Sequence, residues 1–174
     1  MNNPREVTAR FGRLLTVTRS SGGSVTSNPA GIACGSQCDE TYPDGAQVVL
    51  TGAPVGTRTI NWTGCTVDPN NRNVCRVTMS QARTVDAQFV SIRNLDLTFI
   101  GGGNGSATVS PPALAGTTSC NADCRLDYAD DEVVTVTPVP VGGSTFVRFD
   151  DDCSGATCQL TMDSNQDVDL EFAP

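Results

Sequence analysis

Histidine is absent from this 174-residue chain, and that removes the commonest general base and the usual activator of a serine or cysteine nucleophile. Aromatic residues make up only 5%, with a single tryptophan, Trp62, so a thick core cannot be built and a small unit needs other fastening. No apolar run approaches the roughly 18–20 residues of a membrane-crossing helix. Met1 to Arg5 is followed by no apolar stretch, so this segment carries no signal peptide, and any export signal is expected to lie outside it. Basic residues are outnumbered 19 to 11, a formal charge of −8. That excess disfavours nucleic acid, whose backbone asks for clustered cations, and equally an anionic membrane surface.

What the chain does have is repetition. Leu15-Thr16-Val17-Thr18 reads as recurring in Leu97-Thr98-Phe99-Ile100, and Gly23 to Thr26 with Pro29 in Gly105 to Thr108 with Pro111. Cys34, Cys38 and Tyr42 return as Cys120, Cys124 and Tyr128. Val48 to Thr51 returns as Val134 to Thr137, and Cys75 to Met79 as Cys158 to Met162. The period is about 80 residues, which marks two tandem copies. The expected domains are residues 12–90 and 91–174. Residues 1–11 form a third, partial copy. Met1, Arg5, Val7, Ala9 and Phe11 share the spacing of Met79, Arg83, Val85, Ala87 and Phe89, as the last strand of a preceding repeat would.

The local pattern is all-β. Leu15, Val17 and Arg19 alternate with Thr16, Thr18 and Ser20, the period of a half-buried strand. Val133 to Val136 is a β-branched run suited to deeper burial. Ser21-Gly22-Gly23 and Gly101 to Gly105 read as hairpin turns, and Pro43-Asp44-Gly45 as a turn before the strand at Gln47. No window carries apolar residues at helical spacing. The expectation is therefore two small β-repeat domains, each a β-grasp-like unit or a small sandwich. The short join between Phe89 and Leu97, without Gly or Pro, reads as a semi-rigid link.

Eight cysteines carry the chemistry: Cys34, Cys38, Cys65 and Cys75, then Cys120, Cys124, Cys153 and Cys158. Even numbers at repeating positions in small β units read as a disulfide framework and an oxidising compartment. Of the three connectivities open to each set of four, the local pairing is favoured on geometry. A bridge between residues four apart requires a tight turn, because an extended strand holds them about 13 Å apart and a disulfide needs roughly 4.4–6.8 Å. Gly35-Ser36-Gln37 and Asn121-Ala122-Asp123 are turn-forming. The second pairs read as bridges across the mouth of a hairpin. A four-thiolate zinc site is the competing reading, but the nine residues between Cys65 and Cys75 suit it poorly.

Other features weigh less. Asp130-Asp131-Glu132 and Asp150-Asp151-Asp152 are candidate calcium ligands, yet neither matches a recognisable loop and neither reads as part of the repeating plan. Gly101 to Gly105 lacks the lysine and helix of a phosphate loop. Asn61-Trp62-Thr63 and Asn104-Gly105-Ser106 are formal glycosylation sequons. Trp62 is the candidate ligand contact, as a sugar-stacking platform, against a packing role; the second copy reads as carrying Arg148 there. No catalytic residue, cofactor or metal is expected.

Taken in order, these elements resemble the divergent internalin B-type bacterial repeat: an LTVT-like opening strand, Gly23 to Gly31, Cys34 and Cys38, Tyr42, a Val-rich strand, Trp62, Cys65 and Cys75, Val77 to Met79, and Val85 to Phe89. The resemblance covers nearly the whole chain, twice. It implies a small all-β unit in extracellular or cell-envelope proteins, serving as stalk, spacer or adhesion module, with no catalytic residues. The expected function is a non-enzymatic structural or adhesive segment of a bacterial surface or secreted protein. The alternative is a polysaccharide- or protein-binding module appended to a secreted enzyme or adhesin. Expected partners are neighbouring repeats, a surface glycan or protein ligand, and a second copy joined head to tail through residues 1–11 at an exposed sheet edge.

Overall fold

The computed structural model describes residues 11–155 and 157–174, and every described element is a strand. The chain divides into two compact units, Met1–Val90 and Ser91–Pro174, each with its own apolar core.

In the first unit, β1 (Gly12–Arg19) lies between β4 (Asp39–Pro43), antiparallel to it, and the first half of β9 (Arg83–Gly101), parallel to it. β6 (Arg58–Thr63) flanks β9 and completes a four-stranded sheet. The second sheet runs β3 (Ala33–Cys34), β2 (Gly23–Asn28), β5 (Gln47–Pro54), β8 (Asn71–Thr78), β7 (Thr66–Asp68), all antiparallel. Alternation along each strand sends Leu15, Val17, Val85, Ala87 and Phe89 from one sheet, and Val25, Val48, Leu50, Cys75 and Val77 from the other, into a shared core. Burying each such Val, Leu or Phe contributes about 1.5–3 kcal/mol. Of the two architectures the sequence left open, each unit is the small sandwich.

The second unit repeats this arrangement. The second half of β9 pairs antiparallel with β12 (Cys124–Ala129) and parallel with β16 (Gln166–Ala173), and β14 (Thr145–Asp151) lies outside β16. Its other sheet runs β11 (Ser119–Cys120), β10 (Asn104–Ser110), β13 (Val133–Val141), β15 (Cys158–Thr161). β7 alone has no counterpart. One strand, β9, thus closes the first unit and opens the second, and the join read as a short link is itself strand.

Four expectations change. The opening strands align two residues earlier than the sequence reading placed them. Leu15 lies opposite Glu40 and Arg83, and Leu95 opposite Leu126 and Gln166. Leu15-Thr16-Val17-Thr18 therefore corresponds to Leu95-Asp96-Leu97-Thr98. A slip of two leaves every side chain on its own face, so the alternation could not reveal it. Second, Ser21-Gly22-Gly23 and Gly101 to Gly105 are not hairpin turns, because the strands they join belong to different sheets. They are corners of the sandwich. Third, Val133 is 49% exposed while Val134 and Val136 are buried. β13 is central in its sheet, but one face of that sheet meets water. Fourth, the second unit's counterpart of Trp62 is Phe149, not Arg148, as the core geometry below shows. Residues 1–10, which carry most of the partial third copy, lie outside the described residues. Phe11 is 81% exposed, whereas Phe89 is buried.

Candidate functional site

The repeated chemistry lies where the chain passes between sheets. Cys34 and Cys38 are bridged with Cα atoms 4.6 Å apart, and Cys120 and Cys124 at 6.3 Å. Cys34 sits in β3 and Cys120 in β11, at the edge of one sheet. Cys38 precedes β4 and accepts Val17 N–H at its carbonyl (2.7 Å), and Cys124 opens β12, at the edge of the other. The intervening turn is closed by Ser36 N–H and Gln37 N–H donating to Ala33 O at 3.2 and 3.1 Å. Cys65–Cys75 and Cys153–Cys158 have Cα separations of 5.9 and 5.6 Å. Each ties the end of β6 or β14, in the first sheet, to β8 or β15 in the second. All four bridges are therefore staples between sheets. The ten-residue separation of Cys65 and Cys75 holds the β7–β8 hairpin, and the five-residue separation of Cys153 and Cys158 leaves no room for one.

A second repeated device clasps the turn after the buried tyrosines. Asp44 takes Arg13 Nε at 2.8 Å, and Asp130 takes Arg93 Nε in the same place. Gly45 N–H donates to Met79 O (2.9 Å) and Met79 N–H to Ala46 O (2.8 Å). Asp131 N–H and Met162 N–H do the same with Met162 O and Glu132 O. Asp130 is therefore part of the repeating plan, contrary to the sequence reading, and Arg93 is the counterpart of Arg13 once the opening strands are aligned on Leu15 and Leu95. Tyr42 Oη and Tyr128 Oη donate to the carbonyls of Pro29 and Pro111, each at 3.3 Å. Burial, and after it the charge of Glu132, pushes the Tyr128 phenol up to about 12.

Trp62 is only 9% exposed, and its Nε1–H donates to Arg72 O at 3.0 Å. It presents no open face for a sugar ring to stack on. Its counterpart follows from the strand end: Asp151 lies opposite Val168, and Gly64 lies against Thr84 and Val85, the equivalents one strand over. Gly64 and Asp151 both take positive φ, 85° and 67°. Phe149 then matches Trp62, and Phe146 matches Ile60 after a bulge between Phe146 and Arg148. Phe146 and Phe149 pack at 4.7 Å between ring centroids, and Phe146 meets Phe172 edge-on at 5.7 Å. Three rings fill the volume that Trp62, Ile60 and Phe89 fill in the first unit.

The acidic residues of the second cluster are engaged separately. Asp150 pairs with Arg148 Nε (3.1 Å), and Asp152 accepts Asp167 N–H (2.8 Å). No grouping of three or more metal-ligating side chains occurs among the described residues. Across the same sheet face Asp169 lies opposite Asp150. Burial, then the charges of Asp151 and Asp150, raises its carboxyl above the ordinary 3.8. Asp96 moves the other way, held below 3.8 by two hydrogen bonds from Arg125, both 2.7 Å. Charge is in fact divided between the units. Residues 1–90 hold eight arginines and six acidic residues, a formal +2, and residues 91–174 three arginines and thirteen acidic residues, a formal −10.

Fold and staples together define a tandem array of disulfide-bonded β-sandwich repeats. The chain belongs to the family of the divergent InlB B-repeat domain, whose profile matches residues 13–93 and again 95–174. No curated protein matches the chain in a sequence search. Among solved structures it is similar to the major pilin protein T-13 from Streptococcus pyogenes, at 8% identity, 95% of this chain, 97% of that one and a TM-score of 0.30. It is similar also to a double mutant of the shaft pilin SpaA from Lactobacillus rhamnosus GG, at 9% identity, 95% and 99% coverage and a TM-score of 0.31. A streptococcal ancillary pilin overlaps 96% of this chain and 64% of its own, at 11% identity and a TM-score of 0.34.

Proposed function

We propose that the chain is a non-enzymatic, extracellular structural and adhesive segment, a stalk or spacer within a bacterial surface or secreted protein. The observation that carries this reading is that everything the two units share is architectural. The staples at each sheet crossing, the clasped turn and the tyrosine anchors recur position for position. Among the described residues no set of repeating side chains converges as a nucleophile, acid and base would. Family membership supports the same reading. Its partners are first the neighbouring repeats of the same chain, and its compartment is one that keeps thiols oxidised.

The test is the intact mass of the chain recovered from the cell envelope or medium of an expressing bacterium, before and after reduction. The expected result is a gain of eight hydrogens on reduction, with peptide mapping to the four local pairs. Recovery of eight free thiols with bound zinc overturns the reading and moves the protein to a reducing compartment.

A further inference from the structure

The first unit carries a cleft of about 600 Å³ beside the Cys65–Cys75 staple, within the roughly 300–1,000 Å³ of small-ligand sites. Arg76 and Arg83 line it, with Gln47, Thr66 and Thr78 around them and Val77 beneath. Arg76 gives one nitrogen, Nη2, to Asp68 at 2.8 Å. Among the described residues Arg83 has no carboxylate partner. Two guanidinium groups and three neutral hydrogen-bonding side chains thus face one space, in the half of the chain whose formal charge is positive.

The second unit supplies an internal comparison. Strand register places Val133 where Gln47 stands, Gln159 where Arg76 stands and Gln166 where Arg83 stands. Both cations are lost together, along with β7, which carries Thr66 and the Arg76 partner Asp68, while the two facing sheets are kept. The arginines therefore are not a requirement of the sandwich.

We propose that this cleft binds the carboxylate of a uronic-acid unit in a glycan. A guanidinium presents paired N–H donors that match a planar carboxylate. The Gln47 amide and the Thr66 and Thr78 hydroxyls both donate and accept, as ring hydroxyls require. An acidic peptide fits less well. The sheet edge beside the cleft is β7, three residues long, too short for a peptide to add as a strand. The proposal goes beyond the stalk reading, which needs no ligand, and gives the first repeat alone a glycan contact.

The test is an amide-resolved NMR titration of the full chain with oligogalacturonate, alongside neutral galacto-oligosaccharide, sulfated galactan and polyglutamate. Saturable shifts confined to Gln47, Gly64 to Thr66, Arg76 to Thr78 and Arg83 are expected with oligogalacturonate and not with the neutral oligomer. Arg83→Gln, which leaves the Arg76–Asp68 pair intact, is expected to weaken binding about tenfold. R76Q/R83Q, which copies the second unit's side chains, is expected to abolish it. Both side chains are surface groups, and unchanged spectra away from the cleft verify the fold. No saturable shift, shifts centred elsewhere, or binding untouched by R76Q/R83Q overturns the proposal. Equal affinity for polyglutamate overturns the sugar assignment, and equal affinity for sulfated galactan overturns the carboxylate one.

Discussion

Gly45 and Asp131 occupy the same turn position with φ of 77° and 63°. Glycine adopts that conformation without penalty, whereas an aspartate there costs about 1 kcal/mol or more. Asp131→Gly is therefore expected to stabilise the second unit by about 1 kcal/mol, and Gly45→Asp to destabilise the first by a similar amount, read from urea unfolding. Gly23 and Gly105 are glycines for a different reason. A Cβ at either would stand 2.3 Å from the ring of Phe89 or Phe172, the last buried apolar residue that each closing strand gives its unit's core. Gly23→Ala is expected to cost about 1–3 kcal/mol through overpacking, with Phe89→Leu relieving part of the loss in the double variant.

Two carboxylates on paired strands shift in opposite directions. Asp96, held low by Arg125, contributes stability that is full above 3.8 and lost as pH falls through its folded-state value. Because the pair is half exposed, Asp96→Asn is expected to cost no more than about 1 kcal/mol at neutral pH and nothing in strong acid. Asp169, raised by burial and by Asp151 and Asp150, behaves oppositely. Its contribution is full below 3.8 and lost as pH rises through the raised value. Asp169→Asn should therefore raise stability at neutral pH and leave acid stability unchanged, checked by thermal melts across pH. The staples act on elements too. Closing a loop of ten residues, as Cys65–Cys75 does, contributes about 2–3 kcal/mol, so Cys65→Ala with Cys75→Ala should lower the first unit's stability by that amount.

For the whole chain, the uneven charge predicts an uneven response to salt. Thirteen acidic residues against three arginines repel one another in the second unit, and screening relieves that repulsion. Trp62 is the single tryptophan and lies in the first core, so its fluorescence reports that unit alone. Raising salt from about 0.01 M to 1 M should raise the melting temperature followed by far-UV circular dichroism of the second transition more than the one followed by Trp62. Equal shifts in both would show that the −10 is not a cost to the fold.

Much of this was readable before any fold was known. Tandem copies, the all-β class and the alternating core of strands such as Leu15–Val17 are properties of spacing, and spacing is written in the chain. So is the family, because its motifs occur in order. What tertiary structure alone decided was which strands meet. A two-residue slip in the opening strand preserves which face is apolar, so only the pairing of Leu95 with Leu126 and Gln166 exposed it, and with it the equivalence of Arg13–Asp44 and Arg93–Asp130. Glycine-rich corners and hairpin turns use the same residues, and only sheet membership separates them. The Trp62 ring looked available because its burial depends on Arg72 and the opposite sheet, residues distant from it in pairing. The cleft of Arg76 and Arg83 was invisible for the same reason: two arginines seven positions apart converge only once β8 and β9 are placed in facing sheets, and no pattern along a chain records a distance across a sandwich.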